Sequence, residues 1–286
     1  MTTLAGVEAA TDAGMAVPNL DADLERRFGG LRRLWGEAAY RRMRAARVAV
    51  VGLGGVGSWA VEALARSGVA ELVLVDLDHV AESNINRQVQ ALGSTLGMAK
   101  AQALRTRVSD IHPGCRVHAI EEFASADNWP ALLPVPVDAV IDACDQSHAK
   151  LALARWALDS GSAYACVGAA GGKREAQRVE VADLVDVTHD PLLASLRQRL
   201  RKALALVGAS DARRASTGDR ALGVRCVFSR ETVATPPDAA CAPEDGLNCH
   251  GYGSAVTVTA TFGLVAAGEV MRQLAQRATG ACPTSC

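Results

Sequence analysis

The chain has 286 residues, of which 49% are hydrophobic and 21% charged, with a net charge of −1. That length holds one large α/β domain or two small ones, and the apolar content supports a proper core, which excludes a disordered or fibrous chain. Near-neutrality excludes bulk charge as a pointer to any partner, so an affinity for a polyanion must rest on local patches.

Residues 1–20 are small, acidic and aperiodic and read as a flexible tail. Residues 26–47 carry eight arginines against one acid, Glu37. Such a run is a solvated helix face by default and a footprint for a phosphate-rich partner otherwise. A short helix is expected over 34–43. "ARVAVVG" then reads as a strand, followed by a helix over 58–67 with Ala60, Val61, Leu64 and Ala65 at helical spacing. "AELVLVDLD" is a second strand, apolar on both faces. Next come a loop over 79–88, a helix over 98–111, the strand "CRVHAIEEF", a short helix near 128–133, the strand "VDAVIDACD", a helix over 147–160 and the strand "SAYACVGAAGG". Strands that are apolar throughout, alternating with helices, give a parallel sheet covered on both faces. The pattern predicts a doubly wound, Rossmann-like α/β core ending near Gly172.

The second half reads differently. "QRVEVADL" alternates apolar and polar residues, as a half-exposed antiparallel strand does. Pro191 opens a helix with leucines at i, i+3/i+4 spacing and with Arg197, Arg199, Arg201 and Lys202 on its outer side. "GVRCVFS" is another strand, residues 230–254 form a long loop, and 255–276 an apolar helix. Within it, residues 251–268 hold no charge, the lower limit for a bilayer span. Four glycines, three threonines and the following Glu269 favour a buried helix, with peripheral membrane contact left open.

Eight cysteines occur, several of them inside apolar strands, and residues 1–20 lack a basic n-region and a long apolar core. A cytoplasmic protein with free thiols is expected. Zinc sites commonly use two Cys-x-x-Cys pairs. None is present, so no zinc is expected.

The chemistry begins at the glycine turn Gly52-Leu-Gly54-Gly55-Val-Gly57 between the first strand and its helix. Glycines let the backbone approach a phosphate, and the helix N-terminus then holds the anion. Asp76 ends the second strand, placed for ribose hydroxyls. These features fix an adenine nucleotide and no more, since a nicotinamide oxidoreductase needs only the turn and Asp76. Beyond them lie Asp78, Asn84, Asn86, Arg87, Gln88 and Lys100, and the fourth strand ends with Asp142 and Asp145. In a doubly wound sheet all of these reach one crevice at the strand C-termini. Arginine, lysine and a carboxylate converging there suit a triphosphate with Mg²⁺, broken at its α-phosphate. Each residue alone has a bland reading as a loop charge or helix cap. Four together in one crevice do not.

"GLGGVGSW", "LVDLDHVAESNINRQ", "LGMAKA" and "IDACD" resemble the adenylating core of the ThiF/MoeB superfamily of ubiquitin-activating-type enzymes. "RRFGGLRRLWGE", "VADLVDVTHDPLLASLRQRLRK", "LGVRCVFSRE" and "VTVTATFGLVAAG" are similar to its tRNA threonylcarbamoyladenosine dehydratase branch. The resemblance implies a single adenylating domain over 21–277, with a nucleotide half (21–172), a substrate half (173–277) and a tail at 278–286. It implies ATP-driven cyclisation of threonylcarbamoyladenosine beside the tRNA anticodon, through an acyl-adenylate, with release of AMP and pyrophosphate. Arg87 and Lys100 match the phosphate-contacting pair, Asp145 the Mg²⁺ ligand and Asp76 the ribose acid. Arg33 matches an arginine that reaches the partner's site in a homodimer. Na⁺ or K⁺ binding is also implied, with tRNA rather than DNA as the nucleic acid. Cys249 matches a cysteine of the branch, but an intramolecular ring closure needs no enzyme thiol. The alternative is an activating enzyme for a ubiquitin-like sulfur-carrier protein, using the same Arg87, Lys100 and Asp145 and a thioester at Cys249 or Cys241.

Overall fold

The computed structural model describes residues 20–208, 221–233 and 252–277. Its frame is a seven-stranded sheet in the order β3-β2-β1-β4-β5-β7-β6. The strands are β1 (Arg47–Val51), β2 (Glu71–Val75), β3 (Arg116–Ile120), β4 (Ala139–Asp142), β5 (Ala163–Val167), β6 (Val179–Asp183) and β7 (Arg225–Ser229). All neighbouring pairs are parallel except β6–β7. The alternating "QRVEVADL" is that antiparallel strand, and every residue of β6 is half-exposed.

Successive residues of a strand point to opposite faces, and both faces here are covered. Val48 and Val50 of β1 enter the core beneath α3 (Gly57–Arg66), α4 (Lys100–Ile111) and α7 (Val256–Arg277). Ala49 and Val51 enter the opposite core, under α5 (Ser147–Ser160) and α6 (Pro191–Gly208). Residues 256–268 of the uncharged run form the first half of α7, which buries Val258, Phe262, Ala266 and Ala267. Gly263 lets α7 approach α3, because a Cβ there would stand 2.4 Å from the Val56 carbonyl oxygen and 2.9 Å from the Ala60 nitrogen. No helix among the described residues is long and apolar enough to cross a membrane.

Three sequence expectations are corrected. The helix expected over 34–43 is two helices, α1 (Leu20–Trp35) and α2 (Glu37–Ala45), because Gly36 at φ 78° breaks the path between them. The helix expected near 128–133 is a set of turns. Pro130 lacks the amide a helix would use there, and the Asn128 side chain accepts from the Ser125 amide instead (2.7 Å). Arg197 does not ride freely on α6. It donates to the carbonyls of Leu184 and Val187, at 3.3 and 2.7 Å. The long loop lies mostly outside the described residues, as do Cys241 and Cys249.

The connection after β1 packs on one face of the sheet and that after β4 on the other. The chain therefore parts at the C-terminal ends of β1 and β4, where doubly wound folds hold their ligands.

Candidate active site

A cavity of about 430 Å³ opens at this point, in the size range of small-molecule sites. The glycine turn forms one wall, with Gly52, Gly54 and Gly55 facing it. Gly52 sits at φ 86°, and a Cβ there would lie 2.8 Å from the carbonyl of Ala143 and the amide of Cys144. A Cβ on Gly54 would meet nothing within 4 Å. The turn is thus pressed against the β4 end on one side and open on the other, which is the cradle a phosphate needs. Gly57 lies behind the wall, packed on the Gly52 carbonyl, and begins α3.

Asp76 lines the cavity but its first task is structural. Its carboxylate accepts from the Leu53 amide (2.6 Å) and the Asp78 amide (2.9 Å), pinning the glycine turn to the end of β2. A carboxylate has lone pairs beyond these two bonds, so a ribose hydroxyl can still donate to it. Burial raises the Asp76 pKa, opposed by the Leu53 bond and the Lys100 charge.

Lys100, nearly buried at the start of α4, places its ammonium 2.7 Å from Asp78 Oδ2. The chain between them folds back through a His79–Ala99 bridge and a bond from the Lys100 amide to the Asp78 carbonyl. That closure turns a separation of 22 residues into contact. Arg87 stands over Gly55, its side chain fixed by donation from Nη1 to the Ser83 carbonyl (2.7 Å) and to Asn86 Oδ1 (2.9 Å). Trp59 Nε1 holds the Arg87 carbonyl at 3.0 Å.

Asp145 completes the opposite wall, just past β4. It is exposed, and among the described residues no hydrogen bond or ion pair engages its carboxylate. A Mg²⁺ ion fits this donor set, because it is commonly held by one or two carboxylates with phosphate oxygens and water completing the shell. Among the described residues no group of three His, Cys, Asp or Glu side chains could hold a metal without such help.

The structure therefore brings Gly52, Gly54, Gly55, Asp76, Asp78, Arg87, Lys100 and Asp145 around one space. It places four predicted residues elsewhere, the first being Gly57 behind the glycine wall. Asn84 is buried, its Oδ1 accepting from the Ala81 amide (3.1 Å) in a short turn. Asn86 reaches away to the Ser254 carbonyl (3.0 Å) while its Oδ1 holds Arg87. Arg33 is exposed on α1, outside the cavity lining.

Gln88 lines the space as the sequence placed it, whereas sequence reasoning missed Phe123, Gly168, Leu192 and Thr259, which also line it. Leu192 and Thr259 stand in the first turns of α6 and α7, and nothing in their residue type marks them. Gly168 carried a signal, since it follows a buried strand. A Cβ there would lie 2.1 Å from Asp190 Oδ2, which accepts from the Ala169 amide (2.8 Å) while Oδ1 caps α6 at Leu193 (3.0 Å).

The four described cysteines, Cys115, Cys144, Cys166 and Cys226, are free. Burial pushes Cys115 up to about 12, and burial with the Asp142 charge holds Cys144 well above the ordinary thiol range. Cys144 lines the cavity, yet its Sγ donates to Asp142 Oδ1 at 3.0 Å.

The sequence matches the ThiF family over residues 29–284. A tRNA threonylcarbamoyladenosine dehydratase of Escherichia coli (strain K12) is 38% identical over 261 residues, covering 88% of this chain and 94% of that protein. One of Haemophilus influenzae is 37% identical over 255 residues, covering 88% and 95%. The solved structure of E. coli tRNA N6-threonylcarbamoyladenosine dehydratase in complex with ATP superposes with a TM-score of 0.79 at 36% identity, covering 91% of this chain and 98% of that one.

Proposed function

The chain belongs to the ThiF family and, within it, to the tRNA threonylcarbamoyladenosine dehydratases, and from that membership we propose how its cavity works. The protein uses ATP to dehydrate threonylcarbamoyladenosine in tRNA. The threonyl carboxylate attacks the α-phosphorus of ATP, the bond to the β-phosphate oxygen breaks, and pyrophosphate leaves. An intramolecular nucleophile of the modified base then attacks the activated carbonyl carbon, closes the ring and expels AMP.

The observation that carries this reading is the convergence of Arg87, Lys100 and Asp145 on the open side of the glycine turn. Two fixed cations face the place where negative charge grows as the α-phosphate is attacked, and preorganised charges of this kind lower such barriers most. Lys100 is held by Asp78 until a phosphate arrives, so little side-chain entropy remains to be lost on binding. Asp145 would hold the Mg²⁺ that comes with the nucleotide and offsets the charge of the leaving pyrophosphate. Asp76 would take the ribose, and the amides at the start of α3 a phosphate.

The tRNA half of the reaction gives a use to basic residues outside the cavity. Arg199 lies 3.2 Å from His148 at the start of α5, and Arg201 and Lys202 are exposed further along α6. In α1 and α2 several arginines are already paired: Arg26 and Arg27 with Asp23, Arg32 with Glu25 and Glu37, Arg41 with Glu37. Arg33 is not among them, which suits a residue offered to a second subunit of a homodimer.

The test is incubation of the protein with ATP, Mg²⁺ and tRNA, followed by mass spectrometry of the nucleosides. AMP and pyrophosphate should form only with tRNA carrying the threonylcarbamoyl group, and that nucleoside should lose one water. Equal turnover with unmodified tRNA would refute the reading. Adenylation of a carrier protein ending in Gly-Gly, with tRNA left unchanged, would replace it with the sulfur-carrier alternative.

A further inference from the structure

Beneath the cavity floor lies an ion pair that the chemistry above does not use. Asp142 ends β4 and Lys150 stands in the first turn of α5, and both side chains are 0% exposed. Lys150 Nζ donates to Asp142 Oδ1 at 3.0 Å and to the Asp142 carbonyl at 3.3 Å. The Tyr164 hydroxyl, from β5, donates to Asp142 Oδ2 at 2.8 Å, and the Cys166 thiol lies 3.5 Å from the same oxygen.

Such a pair is a poor way to stabilise a fold. Removing two charges from water costs several kcal/mol per ion, and apolar side chains of similar volume often do as well or better. The lysine is nonetheless held in its charged form. Burial alone would lower the Lys150 pKa, but the Asp142 charge outweighs it and raises it above the ordinary lysine value.

What the pair does is visible one residue along. Asp142 Oδ1 also accepts from the Cys144 amide (3.2 Å) and the Cys144 thiol (3.0 Å). The turn of residues 143–145 is therefore held from below by this carboxylate. From above it is pressed by Gly52, whose absent Cβ would overlap the Ala143 carbonyl and the Cys144 amide. Asp145 is the next residue and points into the cavity lining. The pair is neutral overall, so it anchors the turn without adding net charge beneath the phosphates.

We propose that Lys150, Asp142 and Tyr164 form a buried positioning unit that sets the Asp145 carboxylate against the glycine turn, and so governs how the site takes Mg²⁺ with ATP. The unit touches neither substrate nor nucleotide, and its effect passes through the 143–145 turn. The inference rests on the ATP reading of the cavity.

The test is equilibrium binding of ATP to the full chain, with and without Mg²⁺, for wild type, for D142L/K150M/Y164F and for Y164F. The triple variant replaces the three polar side chains with apolar groups of similar size, while the Cys144 amide loses its acceptor, so it should fold and melt close to the wild-type temperature. Its affinity for ATP with Mg²⁺ should fall about tenfold, while its affinity for ATP alone changes less than about twofold. Y164F removes one hydrogen bond and keeps the ring. It should show a smaller loss in the same direction, about two- to threefold, and carries the test if the triple variant does not fold. Wild-type affinity for Mg²⁺ and ATP in a folded variant overturns the proposal, as does an equal loss with and without the metal. A wild-type chain that binds no ATP overturns the adenylation reading and this inference with it.

Discussion

Two of the four glycines of the nucleotide turn, Gly52 and Gly54, should fail in opposite ways when each is given one methyl group. Gly52→Ala puts a Cβ 2.8 Å from the Ala143 carbonyl and the Cys144 amide, at φ 86°. The left-handed conformation costs an L-residue about 1–2 kcal/mol, and overpacking against backbone that cannot swing aside adds ~1–3 kcal/mol. A loss of about 2–5 kcal/mol is expected, which for a chain of this size lowers the melting temperature by roughly 5–15 °C. Gly54→Ala meets nothing within 4 Å and has an ordinary φ, so the fold should change by less than about 0.5 kcal/mol. The added methyl faces the cavity, however, where it takes the room of a phosphate oxygen. ATP affinity should fall at least about tenfold, or 1.4 kcal/mol, with no change in melting temperature. Thermal melting and equilibrium ATP binding on both variants separate the two effects. A Gly54→Ala protein that binds ATP like wild type refutes the placement of the triphosphate on this turn. A Gly52→Ala protein that melts like wild type refutes the close packing against Ala143.

Three further outcomes follow from the same geometry. Lys100→Met removes a cation fixed beside the glycine turn; pyrophosphate release should slow by about 10²–10³, as for loss of one preorganised donor, while the protein still folds, measured by coupled phosphate release and melting. His112 is buried against Phe28, with Arg44 Nη1 3.1 Å from its Nε2, and burial together with the Arg44 charge lowers its pKa to about 4. The unfolded chain therefore takes up a proton near pH 6.5 that the folded chain refuses until about pH 4, so stability present above pH 6.5 drains away between those values, by up to about 3 kcal/mol. Denaturant melts at pH 7 and pH 4.5 should show this loss, and His112→Phe should flatten it; an unchanged slope in the variant rules the histidine out. Cys144→Ala should retain pyrophosphate release within about threefold, because its thiol donates to Asp142 and is held in the neutral form; loss of activity comparable to Lys100→Met would make the thiol a participant after all.

Part of the site was legible because topology alone places it: Gly52, Asp76 and Asp145 lie at or just beyond strand ends that a doubly wound sheet brings together. Arg87 and Lys100 lie in the long connection after β2, which folds back on itself through the His79–Ala99 bridge to return Lys100 to Asp78. The fold was legible for a related reason: β1, β2, β4 and β5 are apolar on both faces, and only a covered parallel sheet tolerates that. The misread elements were those where one local feature overrides a pattern. The apolar spacing over 34–43 continues through Gly36, but the backbone there turns to φ 78°. Asn84 and Asn86 stand beside Arg87 in sequence and look like ligands, whereas each is spent on backbone contacts that hold the arginine's loop.

The two acids of "DACD" show where sequence reasoning stops and what would carry it further. Both end the fourth strand, and residue type cannot tell a metal ligand from an anchor. The deciding residue is Lys150, which lies on the buried stripe of α5 with Ala149, Leu153, Ala154 and Ala157. A lysine on an apolar stripe demands a buried acid within reach, since an unpaired charge there would be untenable. Asp142 is the last paired residue of β4, in register with Val51 and Cys166, so its side chain is enclosed by neighbouring strands and is within reach of Lys150. Asp145 lies past the ladder and has no such enclosure. Once the lysine has claimed the first acid, the second is the only one of the two left to face the cavity, and its freedom from protein partners follows from the first acid's burial.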